Sequence, residues 1–119
     1  MGPTVNTSTV WETVDDGDDR VSVVVTGPRL DAVEAAHLRE VIEELLVAGT
    51  TRLVVDLSGT GFVDSAGLAC LVRAMTTLRR RGGDVALVRP ASDDAWRVFR
   101  LTQFDEVFPI IPAFRPEGP

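Results

Sequence analysis

Residues 52–74, RLVVDLSGTGFVDSAGLACLVRA, pass from one periodicity to another. Residues 52–58 form a nearly continuous apolar run, as expected for a strand buried in a parallel sheet. A loop containing Gly59 and Gly61 leads to Phe62, Val63 and Asp64. Beyond it Leu68, Leu71, Val72, Met75 and Leu78 recur at helical spacing until Gly82 and Gly83 stop the helix. A strand, a short loop and a helix in this order predict an α/β chain with parallel pairing. They also place a hydroxyl, Ser65, between a carboxylate and a glycine where the helix starts.

The same alternation extends in both directions. Upstream, TVWETV and RVSVVVTG flank the acidic, glycine-centred DDGDD, which predicts an N-terminal antiparallel hairpin. After Gly27 and Pro28, the apolar residues Leu38, Val41, Ile42, Leu45 and Leu46 predict a helix over 32–48. Asp31 and Glu34 resemble a capping box at its start, and Gly49 is its stop. Downstream, DVALV is the next strand, and Ser92 caps a short helix carrying Trp96, Phe99 and Leu101. VFPII ends the sheet, with Pro109 implying an edge strand or its termination. The tail PAFRPEGP is too rich in proline to continue as a helix. The expected fold class is therefore α/β: a small mixed, mostly parallel sheet with an N-terminal antiparallel hairpin and three to four helices. A single domain over 1–119 is expected, with its core at about 9–111.

Composition narrows the function. With 45% hydrophobic and 25% charged residues and a mean hydropathy of +0.13, the chain reads as a soluble globular domain with no apolar run long enough to cross a bilayer. The N-terminal MGPTVNTST lacks the basic-then-apolar order of a secretion signal, and Asn6 stands where a myristoylation signal needs Ser or Thr, so a cytoplasmic location is expected. A net charge of −6 and a pI near 4.6 oppose binding to nucleic acid. All the basic residues are arginines, and the Arg79–Arg81 run suits the negative end of a helix dipole. One cysteine, Cys70, and one histidine, His37, supply neither a disulfide nor a cluster of soft metal ligands, and Cys70 is expected to be a small buried residue.

Catalytic motifs are absent at the decisive place. A hydrolase elbow needs Gly-x-Ser-x-Gly, but Val63 occupies the first glycine position, and His37 lies in the middle of the first helix. GTGFVD places Asp64 where a dinucleotide fingerprint needs its third glycine, and no phosphate-loop Lys follows. Asp31, Asp56 and Asp64 match no metal-ligand loop. What remains is a serine at a helix N-terminus. Only one of Asp64 and Ser65 can be the cap, while Ala66 and Gly67 keep the first turn free of bulk for an approaching protein. Such a serine suits modification. A phosphate there would lie beside the unpaired amides of the helix, opposed by Asp31 and Asp64, and would change surface charge rather than fold. Ser58 and Thr60, in the same loop, are further hydroxyls open to modification, although hydroxyls in glycine-bearing loops commonly serve as turn formers.

The strings LVVDLSGTGFVDSAGLACLVRA, VVVTGPRLD and RVFRLTQFDEVFPI resemble the STAS domain of single-domain bacterial anti-sigma factor antagonists, over about Thr9 to Ile111. The resemblance implies that Ser65 is the serine phosphorylated by a cognate anti-sigma factor, itself an ATP-dependent serine kinase. It also implies that Asp31, Asp64, Ser65, Ala66, Gly67 and Leu68 contact the partner. The chain would then be a kinase substrate and not an enzyme. No cofactor is implied, since ATP would be held by the kinase, and a serine phosphatase would reset the switch. Neither nucleic acid nor membrane insertion is implied. STAS domains also serve as scaffold subunits of sensory assemblies and as accessory subunits of lipid or anion transporters. Gln103 stands where the family usually places a glycine after its short third helix.

Overall fold

The computed structural model describes residues 8–16 and 19–112, with side chains from Arg20 onward. Strands β1 (Ser8–Asp16) and β2 (Asp19–Thr26) pair antiparallel, with a register shift between Val10 and Glu12. Gly17 and Asp18, at the centre of the expected acidic turn, lie outside the described residues, as does the tail from residue 113 on. Three more strands extend the sheet in parallel: β4 (Arg52–Asp56), β6 (Asp84–Val88) and β7 (Ile110–Ile111), in the order β1-β2-β4-β6-β7. A separate parallel pair joins two short strands, β3 (Arg29–Leu30) and β5 (Phe62–Val63).

The register explains the core. Val24 lies opposite Val55, and Val55 opposite Leu87, so three fully buried side chains form a row across β2, β4 and β6. Against this face pack α1 (Ala32–Val47) through Leu38, Val41 and Ile42, and α2 (Ser65–Arg80) through Leu71, Met75 and Leu78. Gly49, at φ +100°, turns the chain out of α1, and Ala48 and Gly49 donate back to Glu44 and Leu46. Leu45, Leu46 and Val72 flank the core, partly buried.

At the C-terminal end the structure corrects one expectation. Helix α3 (Asp93–Leu101) is capped by Ser92, whose hydroxyl accepts from the Ala95 amide at 3.2 Å, and Phe99 is buried as expected. Leu101, however, is 71% exposed. Two residues along a helix turn about 200°, so a face built on Ala95 and Phe99 points Leu101 to solvent. VFPII is not one strand. Val107 closes a short helix, α4 (Phe104–Val107), Phe108 is buried, and pairing with β6 begins only after Pro109, whose carbonyl accepts from the Leu87 amide at 2.9 Å. The resulting β7 is the edge strand, where proline is tolerated.

The loop after β4 is strapped to the end of β2. Thr60, 1% exposed, shares a 2.6 Å hydroxyl–hydroxyl bond with Thr26 and donates to the Gly27 carbonyl at 2.8 Å, while the Gly61 amide donates to the Pro28 carbonyl. These bonds hold β5 beside β3. The first turn of α2 then approaches β3 so closely that a Cβ on Gly67 would lie 2.6 Å from the Leu30 carbonyl oxygen and 2.7 Å from its Cγ.

Two stability predictions follow from this packing. Gly67→Ala must displace backbone and should destabilise the fold by about 1–3 kcal/mol, read as a lower denaturation midpoint. Gln103, which ends α3 at φ +63°, is a non-glycine residue in left-handed backbone. Gln103→Gly should raise stability by about 0.5–1 kcal/mol, the relief of strain outweighing the added freedom of the unfolded chain; an unchanged or lower thermal midpoint would contradict this.

Candidate functional site

Each strand of the β3/β5 pair runs into an aspartate that caps a helix. In β3 the sequence is Arg29-Leu30-Asp31 and in β5 Phe62-Val63-Asp64, with Arg29 opposite Phe62 and Leu30 opposite Val63. Because side chains alternate along a strand, Leu30 and Val63 turn into the core while their neighbours turn outward. The Asp64 amide donates to the Leu30 carbonyl at 3.2 Å, extending the pairing by one rung, so the starts of α1 and α2 lie side by side.

The two caps are built alike. Asp31 Oδ1 accepts from the Glu34 amide at 3.1 Å, and Asp64 Oδ1 accepts from the amides of Ala66 at 3.0 Å and Gly67 at 3.1 Å. The Glu34 carboxylate lies 3.4 Å from Nδ1 of half-exposed His37. Asp31 also lies 3.5 Å from Nε of Arg29, whose guanidinium stacks 4.3 Å from the centre of the Phe62 ring. The Glu34 amide, in the first place, lowers the Asp31 pKa below the ordinary carboxylate value; partial removal from water opposes it and Arg29 assists it. Asp31 therefore stays a carboxylate at neutral pH.

With Asp64 as cap, Ser65 becomes the first residue of α2. It is exposed, and its hydroxyl makes no hydrogen bond among the described residues. The structure brings together three of the residues singled out from the sequence, Asp31, Asp64 and Ser65, with Ala66 half-buried beside them. It turns Gly67 and Leu68 inward: both are buried, and Gly67 serves the approach of Leu30 rather than of a partner. Two of the amides expected to greet a phosphate are also engaged, since Asp64 occupies those of Ala66 and Gly67. Buried Thr60 is a structural hydroxyl and not a modifiable one, while Ser58 is half-buried, its amide held by Asp56 Oδ1 at 2.9 Å.

Sequence reasoning missed the outward residues of the strand pair. Arg29, Phe62 (40% exposed) and, on the first turn of α1, Val33 (62% exposed) give the site an aromatic and aliphatic surface around its charges. The signal was the repeated order of one outward residue, one apolar residue and an aspartate before each helix. Next to this surface an open groove of about 260 Å³ runs between α1 and α2, lined by alanines with Arg39 and Arg73. Cys70 lies in its wall, its thiol 3.6 Å from the Ala35 carbonyl; burial raises the thiol pKa against the pull of both arginines, which leaves little reactive thiolate.

This architecture matches known proteins. A family model described as STAS domain matches residues 12–115. The anti-sigma-B factor antagonist of Listeria monocytogenes is 30% identical over 92 residues, covering 77% of this chain and 79% of that protein. The crystal structure of an anti-sigma factor antagonist from Mycobacterium paratuberculosis superposes with a TM-score of 0.69 at 30% identity, over 90% of this chain and 87% of that one. SpoIIAA shares the fold at 19% identity, with TM-scores of 0.71 for its unphosphorylated form and 0.65 for its phosphorylated form from Bacillus, each over 89% of this chain and over 90% and 93% of those chains. This chain belongs to the STAS domain family.

Proposed function

We propose that this protein is an anti-sigma factor antagonist acting in a partner switch, with Ser65 as the phosphorylated residue. The observation that carries the reading is the division of labour at the start of α2: Asp64 takes the cap, and the Ser65 hydroxyl is left exposed and unbonded next to Asp31. The names of its relatives support the role.

In the unphosphorylated state Arg29, Asp31, Phe62, Val33 and Ser65 form a docking face for an anti-sigma factor with serine kinase activity, and docking frees the sigma factor. The kinase holds ATP and supplies the base. Ser65 Oγ attacks the γ-phosphorus, the Oγ–P bond forms, the P–O bond to ADP breaks, and the hydroxyl proton leaves through the kinase. The new phosphate adds about −1.5 to −2 charges beside Asp31 and Asp64, and the dianion has to be desolvated for the face to dock. The complex dissociates until a serine phosphatase removes the group. This chain binds no cofactor of its own and works in the cytoplasm, without nucleic-acid contact or membrane insertion. Among the described residues, no helix is long and apolar enough to cross a membrane.

Calorimetric titration against the anti-sigma kinases of the same organism tests the switch. Ser65→Ala should bind the cognate kinase as the unmodified protein does, and Ser65→Asp should bind at least about tenfold more weakly, ~1.4 kcal/mol. Mass spectrometry after incubation with ATP and kinase should find phosphate on Ser65 and none in Ser65→Ala. Equal affinities for the two variants, or phosphate on another residue, would refute the assignment.

A further inference from the structure

We propose that Arg29 is an internal acceptor for the phosphate on Ser65, exchanging the carboxylate of Asp31 for the phosphoryl oxygens when the switch is thrown. The inference rests on Ser65 being the modified residue and concerns what happens at the site afterwards.

Arg29 is held by few and weak ties. Its side chain is 60% exposed, its Nε lies 3.5 Å from Asp31 Oδ2, at the long limit of a hydrogen bond, and its guanidinium plane is set against Phe62. Its two terminal nitrogens make no hydrogen bond among the described residues. A guanidinium presents its donors as a flat fork, and here the Nε edge faces Asp31 while the outer edge is free to take a second oxyanion.

The strand register brings this fork near Ser65. Arg29 lies opposite Phe62 and its Nε reaches Asp31 two residues on, while the Asp64 amide bonds the carbonyl of Leu30, the residue before Asp31. Neighbouring strands are about 4.8 Å apart, so the fork lies roughly one strand spacing from the segment that carries Ser65, within reach of a rotamer change in a long side chain. The Phe62 ring provides the surface over which the guanidinium can slide while it keeps its stacking contact.

Electrostatics set the direction of the exchange. A phosphate on Ser65 meets Asp31 and Asp64, and the amides of Ala66 and Gly67 are already committed to Asp64. Arg29 is the cation that the strand pair holds at this end of the helices. A phosphate dianion attracts it more strongly than a single carboxylate and offers bidentate geometry. Once Arg29 moves, Asp31 loses its counter-ion, so one covalent event alters two neighbouring charges of the docking face. The phosphate is thereby partly neutralised without the fold having to change.

The test installs phosphoserine at position 65 of the full chain by genetic code expansion, without any kinase, and follows the ³¹P chemical shift against pH. A His37→Gln background removes the imidazole beside Glu34; Asp31, Glu34 and Asp64 are common to every variant compared. The second ionisation of a phosphoserine ordinarily falls near pH 6. With Arg29 present it should lie about half a unit or more below its position in Arg29→Gln, because the guanidinium favours the dianion. Arg29→Lys, with the charge but not the fork, should fall between, and Arg39→Gln, farther along α1, should match the parent. Identical titrations with and without Arg29 would overturn the proposal. Because no kinase takes part, failure of a kinase to bind or modify the protein would refute the partner switch while leaving this result intact.

Discussion

The hydrogen bond from the Asp64 amide to the Leu30 carbonyl, together with the two-rung parallel pair it extends, is the contact on which the site depends. It belongs to none of the five strands of the main sheet, yet it brings two helix starts side by side. Three conditions maintain it. The Thr26–Thr60 hydroxyl bond anchors the loop after β4 to the end of β2, Gly61 donates to Pro28, and Gly67 leaves room where any side chain would strike Leu30. A small buried polar cluster thus positions a surface made of quite different residues, and it does so with every participating hydroxyl of the cluster bonded, as burial demands.

The electrostatic character of the surface comes from this juxtaposition. Two helix N-termini, each with partial positive charge, are each met by an aspartate carboxylate. Each helix end is therefore partly neutralised internally, with the Glu34 amide committed to Asp31 and the amides of Ala66 and Gly67 to Asp64. Against that balanced background Arg29 and Asp31 form an exposed, loosely held ion pair on an aromatic ring, and Ser65 contributes a hydroxyl without a bond. Exposed ion pairs contribute little to stability, which suits a pair whose partners can change.

Much of this was legible before folding. Helical periodicity located α1 and α2 to within a residue or so, because a buried stripe recurring every three to four residues has few other readings. Asp31 as cap of the first helix and Ser92 as cap of the third were readable from local chemistry alone. The strand read into VFPII was misjudged because β-rich residues also fill short helices and their exits. Gly67 looked like space left open for a partner, whereas the neighbour that needs the space is Leu30, 37 positions earlier in the chain.

The sequence by itself determined the alternation of strand and helix, the acidic charge, and the adjacency of Asp64 and Ser65; all of these follow from composition or from neighbours along the chain. Tertiary structure alone decided which of those two residues caps the helix, that Thr60 is buried and Ser65 is not, and that Arg29 stacks on Phe62 beside Asp31. Those outcomes depend on the pairing of segments some thirty residues apart. Short strands of two residues carry almost no periodic signal, so their register is set by the loop bonds and close packing of the folded chain.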